Sequence, residues 1–488
     1  MDSSRAGTQA PVPTNTLLVR DVSKIYTGSA SLGEVDDGAI YVRGNVIEWV
    51  GCTKDLPAHL SAADETISLP GHVLLPGLVN THAHMFQSLT RCVAQDKTLH
   101  GWLKALYPIW AHLTGEDVYC ATAISMAELL LSGCTTSSDH LYIYPNDVFV
   151  WQRVSVSVSA RVGMSACLPQ SACQRVSACQ RVGLSKGGIA PDSAVEEEGA
   201  ILLDMQRCIE AFHDNERYSM LRMAVGPASQ KTVTNELMSA SAILARKYAG
   251  VRLHTHLAEN QEDITYTQEL YGYRFAQYIR NVGWDRDDCW FAHCCMLNGS
   301  EQAMFASNGI GVAHCPSSNT RLASGIAPVR ALLDAGVNVG LGVDGAASND
   351  CQSLLAEARL AMLLQRAGGD PAGCSAREAL MMATKGGARN LGRDDIGELA
   401  PGFAADFVSW KFRGVLGFVG SGADPVAALL LAAPAAGPVS LSVINGRVIV
   451  RDGEILGFDL PALVADGEAR SARLVSMLTP AAIGAGAV

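Results

Sequence analysis

The sequence contains no Cys-x-x-Cys pair, which argues against a zinc ribbon or a similar thiolate knuckle as its scaffold. Positive charge is also scarce: 37 Lys and Arg against 48 Asp and Glu leave a formal net charge of -11. A surface with that balance repels phosphate backbones and anionic lipid, so neither a nucleic acid polymer nor a membrane is an expected partner. No apolar run is long enough to span a bilayer, because the most apolar late segment, 426–444, is interrupted by Pro434, Gly437 and Pro438. Residues 1–15 have no apolar core and carry Pro11 and Pro13, so they read as a disordered leader, neither export signal nor anchor. Without such a signal the 14 cysteines are expected as buried thiols in a cytoplasmic protein.

What is present suits a large globular chain. Of 488 residues, 48% are hydrophobic and 17% charged, enough for one large barrel with a satellite domain. Short β-rich runs occur early, as in Ala39-Ile40-Tyr41-Val42 and Val46-Ile47-Glu48-Trp49-Val50. A matching texture returns late around Asp406-Phe407-Val408 and Val443-Ile444-Asn445-Gly446, where Asn-Gly between apolar runs signals a hairpin. Segments 16–75 and 386–460 are therefore expected to form one small β-sandwich domain, with 461–488 as a C-terminal helix and tail.

Between them, 76–385 alternates helical patterns with short buried strands at 134–138, 220–225, 251–256, 290–293, 310–314 and 337–343. With the strand before His82 and one unplaced around 155–167, these make eight. Eight such units predict an α/β fold of (β/α)8 TIM-barrel type, whose active site forms at the carboxyl ends of the strands. Residues 151–183 break the pattern, because Ser-Ala-Cys recurs at six-residue spacing (Cys167, Cys173, Cys179) beside repeated Gln-Arg-Val. That period fits neither helix nor strand, so this stretch reads as an irregular loop of duplicated sequence and not as a metal site.

The chemistry gathers at strand ends. In Leu75-Pro76-Gly77-Leu78-Val79-Asn80-Thr81-His82-Ala83-His84, two imidazoles two residues apart on an extended segment project together. His256 and Glu259 follow the next informative strand, His293 another, and Asp344 the last. His82, His84, His256 and Asp344 make a nitrogen and oxygen donor set that suits one Zn2+, with Fe2+ or Mn2+ as alternatives. The fourth strand, Met220 to Val225, offers no bridging carboxylate, which favours a single ion. Zinc brings bound water to a pKa of about 7. Glu259 would then shuttle a proton to a ring nitrogen, His293 would hold the oxyanion, and Asp344 would take the water's proton. His254 faces the same way as His256 one layer deeper, where it packs or orients. His314 either lines the pocket or fills the barrel, and Glu128 reads as a helix surface charge.

On these residues the chain resembles the aminohydrolase branch of the amidohydrolase superfamily. The carrying motifs are Pro76-Gly77-Leu78-Val79-Asn80-Thr81-His82-Ala83-His84, His254-Thr255-His256-Leu257-Ala258-Glu259, Val312-Ala313-His314-Cys315-Pro316-Ser317-Ser318-Asn319 and Gly342-Val343-Asp344-Gly345. The resemblance implies a zinc-dependent hydrolytic deaminase of an oxidised purine base, turning 8-oxoguanine into urate and ammonia. It assigns His82, His84, His256 and Asp344 to the metal and Glu259 and His293 to catalysis. It also implies substrate contacts at Gln87, Trp110 and Asn319, and a homo-oligomer. Guanine or isoxanthopterin deamination, s-triazine hydrolysis, and a catalytically impaired binding or assembly protein are the alternative readings. Two segments depart from the family pattern: the repeats precede Gly187-Gly188-Ile189-Ala190-Pro191, and Gly226-Pro227-Ala228-Ser229-Gln230-Lys231 differs from the usual turn after the fourth strand.

Overall fold

Eight parallel strands close into a barrel in a computed structural model that describes residues 15–143, 164–170 and 197–478. The strands are β1 (Leu78–Asn80), β2 (Cys134–Ser138), β3 (Ser165–Gln170), β4 (Leu221–Val225), β5 (Arg252–Leu257), β6 (Cys289–His293), β7 (Gly311–His314) and β8 (Asn338–Leu341). They pair in chain order and β8 returns to β1 through Leu341 and Asn80. The unplaced third strand is β3, whose backbone pairs with β2 and β4. The rest of the 151–183 repeat segment lies outside the described residues, as do 1–14 and 479–488.

The barrel strands are short apolar runs because both faces are buried, by helices outside and by side chains inside. Val79, Ala224, Trp290 and Ala313 meet inside the lower barrel together with Ala388 and Leu391. Trp290 fills that space without leaving its ring N–H unsatisfied, since Nε1 donates to the Thr81 carbonyl at 3.0 Å. This plug fills the barrel interior below the site.

The strands of the two chain ends join in one nine-stranded mixed sheet. Its seam is the antiparallel pair His72–Pro76 with Phe407–Lys411, which hands the chain directly to β1. The Asn445-Gly446 turn has φ of 49° and 78° and links Leu441–Ile444 to Arg447–Arg451, as the hairpin signal predicted. Among the described residues, no helix is long and apolar enough to cross a membrane.

Gly77 sits where the sheet passes into β1 and its N–H donates to the Asp406 carbonyl at 3.0 Å. A Cβ there would lie 2.0 Å from Thr135 Oγ1 and 2.7 Å from Thr135 Cβ, and Thr135 is buried. Gly77→Ala is expected to cost about 1–3 kcal/mol through overpacking, read as a lower denaturant midpoint; an unchanged midpoint would refute the constraint.

The loops after β7 and β8 are tied by Glu357, a buried residue on the helix Leu354–Arg366. It accepts from the Ser317 N–H at 3.1 Å, Ser317 Oγ at 2.5 Å and Asn349 Nδ2 at 3.0 Å. Burial nevertheless pushes its carboxyl up to about 7, against the pull of these three donors. Because the folded-state value is raised, the protonated form stabilises the fold below about pH 4.5, and that contribution is lost as pH rises through about 7. Glu357→Gln cannot ionise, so its Tm is expected to fall less than wild type across that window; parallel Tm curves would contradict this.

Candidate metal centre and pocket

Three sequence-distant segments converge because their backbones pair at the barrel top. After β1, Ala83–His84 forms a two-residue parallel bridge with Asp344–Gly345, and the Asp344 N–H donates to the His82 carbonyl at 2.9 Å. β5 brings His256 alongside, its Nδ1 held by the Ala228 carbonyl at 2.5 Å. Strand alternation alone would not aim every group inward. Ala258, His293 and Asp344 take φ of 54°, 72° and 58°, a left-handed conformation that turns the chain just past its strands. Such backbone is costly for residues with a Cβ and concentrates where function needs it. Gly345 gives Gln87 room: a Cβ there would meet Gln87 Oε1 at 1.8 Å.

The hydrogen bonds settle where the imidazole protons sit. His84 Nδ1 donates to the His140 carbonyl at 2.6 Å and His256 Nδ1 to the Ala228 carbonyl, so each Nε2 carries a lone pair. Those two Nε2 atoms nevertheless face each other at 3.0 Å. His254 Nδ1 donates to the Trp290 carbonyl at 2.9 Å, leaving its Nε2 to accept from His82 Nδ1 at 2.8 Å. His82 Nε2 is therefore a third lone pair. It is buried, finds no hydrogen-bond partner among the described residues, and lies 3.2 Å from Asp344 Oδ1. The same oxygen is 3.2 Å from His84 Nε2. Burial drives the pKa of His82 down to about 3 and those of His254 and His256 well below the usual histidine value, so all three are neutral.

Three lone pairs and a carboxylate oxygen packed this closely repel unless a cation lies among them. Donors on a tetrahedral ion at ~2.0–2.1 Å stand roughly 3.3–3.4 Å apart, close to the spacings observed. The donor set fits a divalent metal. His82, His256, His293 and Asp344 each place one ligand atom within 4.8 Å of the others, and His82, His84, His140 and His256 do the same.

The remaining predicted residues divide into wall and support. A cavity opens beside the cluster, bordered by His84, Gln87, His256, Glu259, His293 and Asp344 among others. Burial pushes Glu259 up. Burial alone would push His293 down, but Glu259 and Asp344 beside it hold it above its ordinary value. Both shifts favour the protonated forms. Gln87 Nε2 donates to the Tyr142 hydroxyl at 3.0 Å, while Oε1 is buried without a hydrogen-bond partner among the described residues. Asn319 and Trp110 lie behind the cavity wall. Asn319 Oδ1 accepts from His293 Nδ1 at 2.8 Å, and Trp110 donates to Thr90 Oγ1 at 3.0 Å with its ring against Phe86. Trp102 borders the cavity where Trp110 does not. His254 supports His82 as described, and His314 is buried away from the cavity.

Sequence reasoning gave no role to His140 or Lys231. His140 stacks on His256 at 5.1 Å and donates from Nε2 to the Gly226 carbonyl at 2.8 Å. Its signal was its place directly after β2, the position the other site residues occupy on their strands. Lys231 borders the cavity from the atypical turn after β4 and pairs with Asp263 at 2.5 Å.

Residues 73–449 match the amidohydrolase family. The chain is 40% identical over 460 residues to an 8-oxoguanine deaminase of Pseudomonas aeruginosa, covering 94% of this chain and 99% of that one. It is 35% identical to a hydroxydechloroatrazine ethylaminohydrolase of Pseudomonas sp., covering 93% and 95%. Among solved structures, an atrazine chlorohydrolase of Arthrobacter aurescens complexed with zinc superposes with a TM-score of 0.84 at 31% identity, covering 93% of this chain and 100% of that one. An adenosine deaminase of Xanthomonas campestris with bound zinc does so with 0.84 at 27%, covering 96% and 100%. With its barrel, its cation-demanding cluster and these likenesses together, the chain belongs to the amidohydrolase family as a metal-dependent aminohydrolase.

Proposed function

We propose that the chain is a zinc-dependent hydrolytic deaminase of an oxidised purine base, converting 8-oxoguanine and water to urate and ammonia. The observation that carries this reading is the convergence of three imidazole lone pairs and the Asp344 carboxylate beside Glu259 at the wall of one cavity. The 40% identity to an 8-oxoguanine deaminase supports the choice of base.

His82, His84, His256 and Asp344 hold one Zn2+, which when bound supplies Lewis-acid activation of a water molecule. Glu259, its carboxyl pushed up by burial, takes a proton from that water and delivers it to the ring nitrogen beside the attacked carbon. His293 donates Nδ1–H to Asn319, and in its protonated form, which Glu259 and Asp344 beside it favour, Nε2–H donates to the developing oxyanion. Asp344, held through Oδ2 by the Ser348 hydroxyl at 3.0 Å, takes the second proton and passes it to the amine. A C–O bond forms, the exocyclic C–N bond breaks, and ammonia leaves. Gln87 presents its unpartnered amide oxygen to a ring N–H.

Glu259→Gln is expected to lower kcat by about 10²–10⁴-fold with zinc content unchanged by elemental analysis; wild-type turnover in this variant would refute the shuttle. His84→Ala and Asp344→Ala should instead lose the zinc, and stoichiometric zinc in both would overturn the ligand assignment. An ammonia-release panel of 8-oxoguanine, guanine, isoxanthopterin and amino-triazines should rank 8-oxoguanine first by kcat/KM. Release from triazines alone would favour the s-triazine reading, which the triazine hydrolase structures support with TM-scores of 0.86.

A further inference from the structure

We infer that Lys231 is a specificity-determining residue whose ammonium hydrogen-bonds an oxo or oxyanion substituent of the bound heterocycle, selecting oxo-substituted rings over rings lacking one. The inference deepens the substrate reading above and rests on it only in taking this cavity as the heterocycle site.

The cavity wall carries several carboxylates. Glu259, Asp263 and Asp344 all border it, so an electron-rich ring oxygen is repelled from much of the wall. Several neutral donors on the wall are already committed: Gln87 Nε2 to Tyr142, Trp102 Nε1 to the Ala347 carbonyl at 2.9 Å, and Ser348 Oγ to Asp344. The Ser229 and Thr232 hydroxyls bond each other at 3.1 Å. Lys231 is different. Its ammonium has three N–H donors, Asp263 Oδ1 takes one, and the side chain keeps 25% of its surface accessible at the cavity wall.

The placement of that ammonium is also fixed. Asp263 Oδ1 holds Lys231 at 2.5 Å while Oδ2 accepts the Glu259 backbone N–H at 2.7 Å. One buried carboxylate thus sets the distance between the group that moves protons at the amidine and the cation that recognises the oxo substituent. A cation at this point also offsets the three carboxylates for a ligand that carries partial or full negative charge on oxygen. Lys231 lies on the turn after β4, whose sequence departs from the family pattern.

The test compares two ligands on the zinc-loaded protein by direct binding: urate by calorimetry, and 2-aminopurine, which has the amidine but no oxo group, by its fluorescence. Lys231→Met is expected to weaken urate at least tenfold and to leave 2-aminopurine within twofold, with Lys231→Arg restoring most of the urate affinity. Equal weakening of both ligands would mean that Lys231 acts only through Asp263 on Glu259, and would overturn the inference. So would unchanged urate affinity, or urate that fails to bind wild type. Absence of ammonia from 8-oxoguanine with wild type would remove the proposed function, while the urate to 2-aminopurine ratio still reads Lys231 separately.

Discussion

The structure turns on a repulsion. Imidazole nitrogens on His82, His84 and His256 present lone pairs beside the Asp344 carboxylate: His84 Nε2 lies 3.0 Å from His256 Nε2, and Asp344 Oδ1 lies 3.2 Å from both His82 Nε2 and His84 Nε2. Each is forced into that state because its other nitrogen is committed, to a carbonyl or to His254, which is itself committed to the Trp290 carbonyl. Neutral groups so arranged are stable only around a positive charge. The fold therefore carries an electrostatic demand that a divalent ion answers, and the surrounding hydrogen bonds exist to maintain it.

Maintaining it takes the whole carboxyl face of the barrel. The two-residue bridge between Ala83–His84 and Asp344–Gly345 joins the first and last barrel strands at the site. Asn80 extends this tie, donating to Ser137 Oγ on β2 and accepting from the Val343 N–H, both at 3.0 Å. Left-handed backbone at His293 and Asp344 then turns side chains that strand alternation would send elsewhere. With the Trp290 plug filling the barrel below, the strain, the charge and the cavity share one face.

Charge is graded across that face. Burial lowers His82 and His256 and raises Glu259, while Glu259 and Asp344 hold His293 up against burial. Groups of the same chemical type are thereby pushed in opposite directions by their surroundings. Lys231 and Asp263 add a cation at the far wall, fixed to Glu259 through one carboxylate.

Much of this architecture is legible in the chain itself. Short runs between helical patterns mark seven of the eight barrel strands, and in five of them, β1, β5, β6, β7 and β8, a His or Asp stands at or just past the end, where a side chain can reach a ligand. β3 stayed hidden because its residues lie within duplicated sequence that carries no strand period. Asn445-Gly446 revealed its hairpin because that dipeptide accepts positive φ at little cost. Tertiary packing alone decided what depends on contacts between distant segments: which nitrogen of each imidazole holds the proton, that Asn319 supports His293 and Trp110 stands behind the cavity wall, and that His140 and Lys231 reach the site. Periodicity records which way a side chain faces along its own strand, whereas a hydrogen bond between residues 172 positions apart, such as His82 to His254, exists only once the barrel has closed.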